Sequence, residues 1–382
     1  MLKEYKISDI ENIKIHGRTT GKKDPLSLLW TASGIEMNYK GSALRIRYKA
    51  DYNVFEPWIS VIVNGVRYQK RPLEKGVHEI TIWNSTETAA GMEAPVRNIR
   101  IIRDTPAMPG DQKTMIQIEA IFADGTFEEI GEPAMRIEFI GDSITSGEGG
   151  IGPHDEMDWN SSCFDVVDNY AYMTASALKA DYNVYSQSGW GFCWSWYGNP
   201  MERMPLYYEQ ICGIVPGDMA KDNGFHEKWD FNGFRPDVVV VNLGTNDVGA
   251  YTDNGHLNAE QMNFNNDHNR DEKGFIPAKD IEFLKKSAVN FITLIREKNP
   301  NAKIIWAYGM LGQEAEHIDQ QMREILSGAV EEYVAKSGDT NAYYVQLQAT
   351  EGDGFGSRSH PGHKSHKNAS ERLVKKIKEL GF

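Results

Sequence analysis

The first third of the chain shows a two-residue alternation of apolar and polar positions. Leu44, Ile46 and Tyr48 are separated by arginine residues, which is the period of a strand with one buried face. Short apolar runs recur at residues 80–83 and 99–102, and no long helical period occurs before about residue 130. This part of the chain is therefore predicted to consist of short antiparallel strands.

Asn64-Gly65 lies between two strand-like runs, residues 58–63 and 66–68. Both residues tolerate positive φ, so the pair predicts a two-residue β-hairpin turn. Short strands joined by turns are typical of two-layer all-β domains. We expect residues 1–133 to form an antiparallel β-sandwich of the jelly-roll type.

The pattern changes after Pro133. Apolar runs of strand length now alternate with segments of helical period, which predicts a parallel sheet flanked by helices. We expect residues 134–382 to form this second, α/β domain. Its predicted strands are 135–140, 183–185, 238–241, 302–308 and 342–347, and its predicted helices are 169–178, 281–297, 318–334 and 366–380.

Composition and charge narrow the classes of function. The formal net charge is −13, which disfavours nucleic acid and anionic membranes as partners. No apolar run reaches the length that a transmembrane helix needs. The chain begins with charged residues between Met1 and Lys6, and no apolar run follows. We therefore expect no secretory signal and a cytoplasmic protein, unless a signal has been removed.

Neither a disulfide framework nor a metal site is predicted. The cysteines are few and odd in number, and we expect buried thiols. Three histidines lie near the C-terminus, but Pro361-Gly362 breaks any helix that would stack them on one face. The sequence offers no clear carboxylate or thiolate partner for them, and we expect no metal and no cofactor. The cysteines are Cys163, Cys193 and Cys212, and the histidines are His360, His363 and His366.

Gly141-Asp142-Ser143 directly follows the strand predicted at 135–140. Open α/β sheets bind ligands at the carboxyl ends of their strands. A turn at this point would present the Ser143 hydroxyl there as a nucleophile. The alternative is an ordinary strand–helix turn in which Asp142 or Ser143 is the N-cap.

Three further segments carry candidate partners for this serine. Asn246 follows a run of four valines and can direct a side-chain N–H at a developing oxyanion; the alternative is a turn in which it caps the next segment. Gly189 and Gly191 follow the strand at 183–185 and offer backbone N–H groups. His360 precedes the last predicted helix and is a candidate general base.

Taken together and in this order, these segments resemble the SGNH (GDSL) hydrolase superfamily. They are GDSITSGEG at 141–149, the glycines of 189–191, GTND at 244–247 and SHPG at 359–362. The resemblance covers roughly residues 135–382 and implies a flavodoxin-like parallel sheet. A β-sandwich before such a domain is similar to carbohydrate esterase family 2, whose members remove acetyl groups from plant polysaccharides such as xylan and mannan.

The resemblance implies a role for each candidate residue. Ser143 attacks an acetyl carbonyl, and His360 takes the proton and returns it to the leaving sugar hydroxyl. The oxyanion is held by the Ser143 backbone N–H, the Asn246 side chain and a glycine N–H, with Gly191 expected first and Gly189 next. The implied substrate is an acetylated oligo- or polysaccharide, with no nucleic acid, membrane or cofactor involved.

One position departs from the family pattern. The family has an aspartate three residues before the histidine, whereas Ser357 stands there. The resemblance allows a Ser–His dyad whose imidazole is held by a main-chain carbonyl. Alternatively, Asp353 or Glu351 folds back to His360, and the glycines around them leave the position of either acid open.

Trp190 and Trp194 lie in the loop after the 183–185 strand. Aromatic faces suit the C–H surfaces of sugars, so we expect at least one to line the pocket, although any single ring is more often core. Two other functions stay open. A lipase or lysophospholipase on the same scaffold needs an apolar channel, and a carbohydrate-binding protein without activity is disfavoured because Ser143, Asn246 and His360 are all present.

Overall fold

The computed structural model describes residues 2–85, 93–252, 257–311 and 316–382. Contacts within the chain divide it into two compact units. The first comprises Met1–Pro133, Trp159–Val167 and Gln210–Trp229, and the second comprises Ala134–Asp158, Asp168–Glu209 and Asp230–Phe382. Two segments that follow residue 133 in the chain thus belong to the first unit.

The first unit contains two antiparallel sheets that share one buried core. Its strands are β1 (Lys3–Tyr5), β2 (Ile13–His16), β3 (Leu26–Ser27), β4 (Gly34–Lys40), β5 (Ala43–Asp51), β6 (Trp58–Val63), β7 (Val66–Pro72), β8 (Gly76–Asn84), β9 (Arg97–Arg103), β10 (Met115–Ala123) and β11 (Thr126–Glu128). One sheet has the order β1-β10-β5-β8 with β3 beside β10, and the other has the order β11-β4-β9-β6-β7 with β2 beside β4.

The alternation predicted for the first third is confirmed. Leu44, Ile46 and Tyr48 of β5 are buried, while the residues between them are partly or fully exposed. Asn64 and Gly65 join β6 to β7 with φ of 51° and 81°, the positive values that a two-residue hairpin turn needs. The turn chemistry therefore sets the register of this hairpin.

Buried polar groups attach the two later segments to the first unit. The Trp30 indole N–H donates to the carbonyl of Ile211 at 2.7 Å. The Asp104 carboxylate, which is fully buried, accepts the backbone N–H of Val166 at 2.8 Å. Because a buried donor or acceptor is costly to leave unpaired, these contacts fix both segments to the sheets.

The second unit is built on a five-stranded parallel sheet. Its strands are β12 (Arg136–Gly141), β13 (Asp181–Ser186), β14 (Val238–Asn242), β15 (Lys303–Tyr308) and β16 (Ala342–Gln346). Their order is β13-β12-β14-β15-β16, which is 2-1-3-4-5 in chain order and is that of flavodoxin-like sheets. Every valine of β14 is buried, as expected for a central parallel strand.

The α-helices among the described residues, apart from α3, lie in this second unit. They are α1 (Ser143–Ser146), α2 (Tyr170–Ala177), α3 (Asp218–Asp222), α4 (Thr245–Gly249), α5 (Ala259–Asn265), α6 (Ala278–Lys298), α7 (Glu316–Ser337) and α8 (His363–Glu379). All predicted strands and helices after residue 133 are confirmed, with ends that differ by three residues or fewer. The short helices α1, α4 and α5 carry no period long enough to predict.

Three strands of the second unit end side by side. Gly141, at the end of β12, is paired with Ser186 of β13 and with Asn242 of β14. The segments that follow these strands therefore begin at one edge of the sheet. None of the described helices combines the length and the apolar composition that a membrane-spanning helix requires. The three cysteines are buried thiols.

Candidate active site

Ser143 is the first residue of α1 and is separated from the end of β12 by Asp142 alone. Gly141 allows the tight exit from the strand, since a Cβ there would lie 1.9 Å from the Thr145 hydroxyl oxygen. The Asp142 carboxylate accepts the Ile144 N–H at 3.0 Å and caps α1, and Gly147 ends it at φ 81°. The turn presents a serine that is only 6% exposed.

His360 forms a hydrogen bond with this serine. Its Nε2 lies 2.9 Å from the Ser143 Oγ, and its Nδ1 lies 2.8 Å from the carbonyl oxygen of Arg358. A carbonyl only accepts hydrogen bonds, so Nδ1 must carry the proton. The Nε2 lone pair then accepts the serine hydroxyl, which is the tautomer that a general base requires.

Neither acid considered from the sequence is a hydrogen-bond partner of this imidazole. Asp353 pairs with Lys364 at 2.6 Å, and its side chain is 79% exposed. Glu351 is exposed. Ser357, at the position where the family has aspartate, donates its hydroxyl to the carbonyl of Ile151 at 3.0 Å. The geometry therefore matches the dyad held by a main-chain carbonyl.

Of the oxyanion donors expected from the sequence, Gly191 is already engaged. Its N–H donates to the Trp194 carbonyl at 2.8 Å, which closes a buried turn. Within the described part of the chain, the backbone N–H groups of Ser143 and Gly189 have no hydrogen-bond acceptor. Gly189, expected second, is therefore the glycine of the two whose N–H can bind an oxyanion without first breaking a hydrogen bond of the loop.

Asn246 lies in α4, just beyond the end of β14. Its side-chain NH₂ is 3.2 Å from a carboxylate oxygen of Asp142 and 3.2 Å from the Trp190 carbonyl oxygen. These distances are at the long end of the range for N–H···O bonds. A hydrogen bond to an oxyanion is charge-assisted and therefore stronger. The Asn246 N–H that donates to the Trp190 carbonyl can thus donate to an oxyanion instead.

Two buried carboxyls hold these loops together, and only the structure shows how. Asp247 accepts the N–H groups of Phe192 at 3.0 Å and Cys193 at 2.7 Å, which shapes the loop after β13. Burial raises the pKa of Asp247 to about 7 against the effect of these N–H groups. Burial raises the pKa of Asp142 to about 8, and the charge of Asp247 adds to that shift. The signal for these two residues in the sequence is their position in motifs, since Asp142 lies in GDS and Asp247 lies in GTND.

The two tryptophans of which at least one is expected to line the pocket have as little exposed surface as Ser143, and their role in a pocket stays a prediction. Trp190 and Trp194 are each 6% exposed. Trp194 packs 4.3 Å from the His268 ring, and its indole N–H donates to a backbone carbonyl. Of the loop aromatics, the partly exposed Trp196 lies beside Gly189, with a ring carbon 3.1 Å from where a Cβ of that glycine would stand.

The three C-terminal histidines have different partners, and His360 is the one that contacts Ser143. His363 is exposed and lies 3.7 Å from Asp168, whereas His366 is buried and its Nδ1 accepts the Tyr170 N–H at 3.2 Å. Across the described residues, no group of three or more His, Cys, Asp or Glu side chains could hold a metal ion.

Gly191 is expected to be intolerant of any side chain. A Cβ there would lie 2.2 Å from an Asp247 carboxylate oxygen and 2.5 Å from the Trp194 carbonyl. Gly191→Ala should therefore lower the free energy of unfolding by about 1–3 kcal/mol and impair activity. Urea unfolding checks this, with Gly131→Ala as the control because a Cβ at that glycine meets nothing. Equal stability of the two variants would contradict the packing described above.

The model of the GDSL-like lipase/acylhydrolase family matches residues 139–367. That range includes Ser143, Asn246 and His360. The chain belongs to this family. The resemblance of the sequence segments to GDSL hydrolases is thereby confirmed.

This chain also has relatives among carbohydrate esterases. A cellulase/esterase from Acetivibrio thermocellus is 26% identical over 363 residues, which are 92% of this chain and 38% of that protein. An acetylxylan esterase/glucomannan deacetylase from Cellvibrio japonicus is 26% identical over 239 residues, 59% of this chain and 57% of that protein. The chain thus spans less than two thirds of the length of these relatives.

Solved structures of carbohydrate esterases are also similar to this chain. An acetyl xylan esterase from the rumen bacterium Butyrivibrio proteoclasticus has a TM-score of 0.92 and 34% identity, covering 100% of this chain and 99% of that one. A family two carbohydrate esterase from Clostridium thermocellum, in complex with cellohexaose, has a TM-score of 0.75 and 22% identity, covering 96% and 98%. The second similarity shows a shared fold.

Proposed function

We propose that this GDSL-like protein is a carbohydrate O-acetyl esterase that acts on xylan- or mannan-derived oligosaccharides. The observation that carries the proposal is the 2.9 Å contact between Ser143 Oγ and His360 Nε2, in a chain 34% identical over its full length to an acetyl xylan esterase. We also propose that residues 1–133 are a jelly-roll domain and that residues 134–382 are the catalytic domain, two segments of which, 159–167 and 210–229, belong to the first compact unit. Antiparallel sheets around one core support the first assignment.

The proposed reaction passes through an acetyl-enzyme. The Ser143 oxygen attacks the acetyl carbonyl while His360 Nε2 takes the hydroxyl proton. The tetrahedral oxyanion accepts the N–H groups of Ser143 and Gly189 and one N–H of Asn246. Collapse breaks the bond to the sugar oxygen, which receives the proton from Nε2. Water then attacks the acetyl-enzyme by the same route, and acetate leaves.

A carbonyl in place of the acid changes what supports the imidazole. The Arg358 carbonyl fixes the Nδ1–H tautomer and the ring plane, as a carboxylate would. It supplies a dipole rather than a full negative charge when the imidazolium forms. The proposed enzyme therefore relies on positioning of His360 and on the oxyanion donors for its rate.

The substrate class is tested by measuring acetate. The purified protein is incubated with acetylated xylo- and manno-oligosaccharides, and acetate release and the shifted sugar resonances are followed by NMR. We expect release from oligosaccharides and little hydrolysis of long-chain acyl esters run in parallel. Hydrolysis confined to long-chain esters would instead favour a lipase, and binding without any hydrolysis would favour a carbohydrate-binding protein.

Asn246→Ala is expected to lower kcat by about 10²–10³-fold, with KM within about threefold of the original, because the lost N–H acts mainly on the transition state. Steady-state acetate release measures both constants. Asn265→Ala is the matched control, since that side chain also donates to a backbone carbonyl, that of Ala250. A loss that appears only in KM would remove Asn246 from the oxyanion site.

A further inference from the structure

The backbone just before His360 adopts an unusual conformation. Arg358 and Ser359 have φ of 56° and 55°, the left-handed region that non-glycine residues rarely occupy. This conformation turns the Arg358 carbonyl back to the imidazole of the residue two positions later, at 2.8 Å. Since two adjacent residues seldom adopt it unaided, surrounding contacts must hold it.

Arg358 is held from both its backbone and its side chain. Its N–H donates to the Glu156 carbonyl at 2.7 Å. Its guanidinium donates through Nε to Glu148 at 2.9 Å and through a terminal nitrogen to the Met157 carbonyl at 2.6 Å. All three partners lie in the segment that follows the nucleophile, so the arginine joins the histidine loop to the serine loop.

Glu148 completes a closed ring of hydrogen bonds. It is 3% exposed, and its own N–H donates to the Ser143 carbonyl at 2.9 Å. From there the ring passes through the Glu148 carboxylate to Arg358, through the Arg358 carbonyl to His360 Nδ1, and through Nε2 to the Ser143 hydroxyl. Burying a carboxylate is costly unless it is paired and hydrogen-bonded, so Glu148 needs Arg358 as its partner.

The serine loop and the histidine loop are also in close contact beside this ring of hydrogen bonds, at Gly149 and Ser357. A Cβ on Gly149 would lie 2.3 Å from the Ser357 carbonyl oxygen and 2.5 Å from the His360 Cβ. The Ser357 N–H donates to the Gly149 carbonyl at 3.0 Å. The Glu148–Arg358 pair therefore lies beside a backbone contact that leaves little room for adjustment of the histidine.

We propose that the Glu148–Arg358 ion pair positions His360 in place of the aspartate that this chain lacks. The pair acts through the Arg358 carbonyl, which selects the Nδ1–H tautomer and aims Nε2 at the serine. Both are positioning residues and touch no substrate. The planar guanidinium is required because it donates in two fixed directions, which a lysine ammonium cannot reproduce. The proposal rests on the proposed esterase function.

The test combines kinetics with the tautomer of His360. Arg358→Ala and Arg358→Lys are expected to lower kcat by about 10²-fold, the effect of a small misplacement of a reacting group, with KM within about threefold. Nitrogen-15 NMR of His360 should show the Nδ1–H tautomer in the original protein and a substantial Nε2–H population in the variants. Glu148→Gln keeps the shape of the partner and serves if Arg358→Ala does not fold.

The matched control is Arg296→Ala. Arg296 also binds a carboxylate, that of Asp339 at 2.8 Å, and backbone carbonyls, but it has no contact with His360. We expect this control to keep kcat and the His360 tautomer, and Arg358→Ala combined with Glu148→Gln to be no worse than Arg358→Ala alone, since members of one unit are non-additive.

Three results would overturn the proposal. One is an unchanged His360 tautomer in both Arg358 variants, and another is a kcat loss no larger than that of Arg296→Ala. The third is full activity of Arg358→Lys. If the unsubstituted protein released no acetate, the proposed function would be wrong. The NMR comparison of the His360 tautomer between that protein and the variants would still test the positioning role.

Discussion

Replacing Ser143 with alanine is expected to lower kcat for acetate release by about 10⁵–10⁶-fold, the size seen when a serine nucleophile is removed. The Ser143 Oγ is the hydroxyl that contacts His360 Nε2, at 2.9 Å. Its loss leaves no group to form the acetyl-enzyme. The residual rate is what the oxyanion donors and substrate binding provide. NMR detection of acetate over long incubations measures both rates.

The same variant separates catalysis from binding. Ser143→Ala removes one oxygen from a site that is otherwise intact, so affinity for acetylated oligosaccharide, measured by calorimetry, should change by less than about tenfold. Ser327→Ala in α7 is the control, since that hydroxyl donates only to a helix carbonyl. A Ser143→Ala enzyme that keeps more than about one hundredth of the activity would mean that another residue is the nucleophile.

His360→Ala is expected to be nearly as damaging, at about 10⁴–10⁶-fold in kcat. Without Nε2 there is no base for the serine proton and no acid for the leaving sugar oxygen. Because serine and histidine act as one unit, the double variant with Ser143→Ala should be no slower than either single variant. Added imidazole should restore part of the rate in His360→Ala but none in Ser143→Ala.

His363→Ala provides the control for that experiment. His363 is exposed, lies three residues from His360 in the chain and has its ring 3.7 Å from Asp168, so its removal should leave kcat within about twofold. If His360→Ala and Ser143→Ala instead multiplied their effects in the double variant, the two residues would act independently. The dyad would then have to be abandoned in spite of the 2.9 Å contact.

The local pattern of the chain was enough to predict most elements. Alternation predicted strands such as β5, Asn64-Gly65 predicted a hairpin, and four valines predicted the central strand β14, all as found. These features depend on neighbours a few residues away, where period and turn chemistry are decisive. The jelly-roll topology stays a prediction, because the order of strands depends on contacts between distant segments.

Within the site, the sequence identified the reactive residue types but not which neighbours they engage. Ser143, Asn246 and His360 could be chosen because each follows or precedes a predicted element in a recognisable motif. Gly191 was expected before Gly189, but the choice between them depends on a distant contact, because the Trp194 carbonyl already accepts the Gly191 N–H. The same limit applied to Trp190, whose burial depends on the residues packed around it.

The sequence by itself therefore determined the two kinds of sheet, the positions of the four helices α2, α6, α7 and α8, and the candidate nucleophile and base. Only the tertiary structure decided that the Arg358 carbonyl orients His360, that the Gly191 N–H is taken by the Trp194 carbonyl, and that segments 159–167 and 210–229 belong to the first unit. The physical reason is that period and residue chemistry act over a few residues. Whether a buried polar group has a hydrogen-bond partner depends instead on which distant segment of the chain lies next to it.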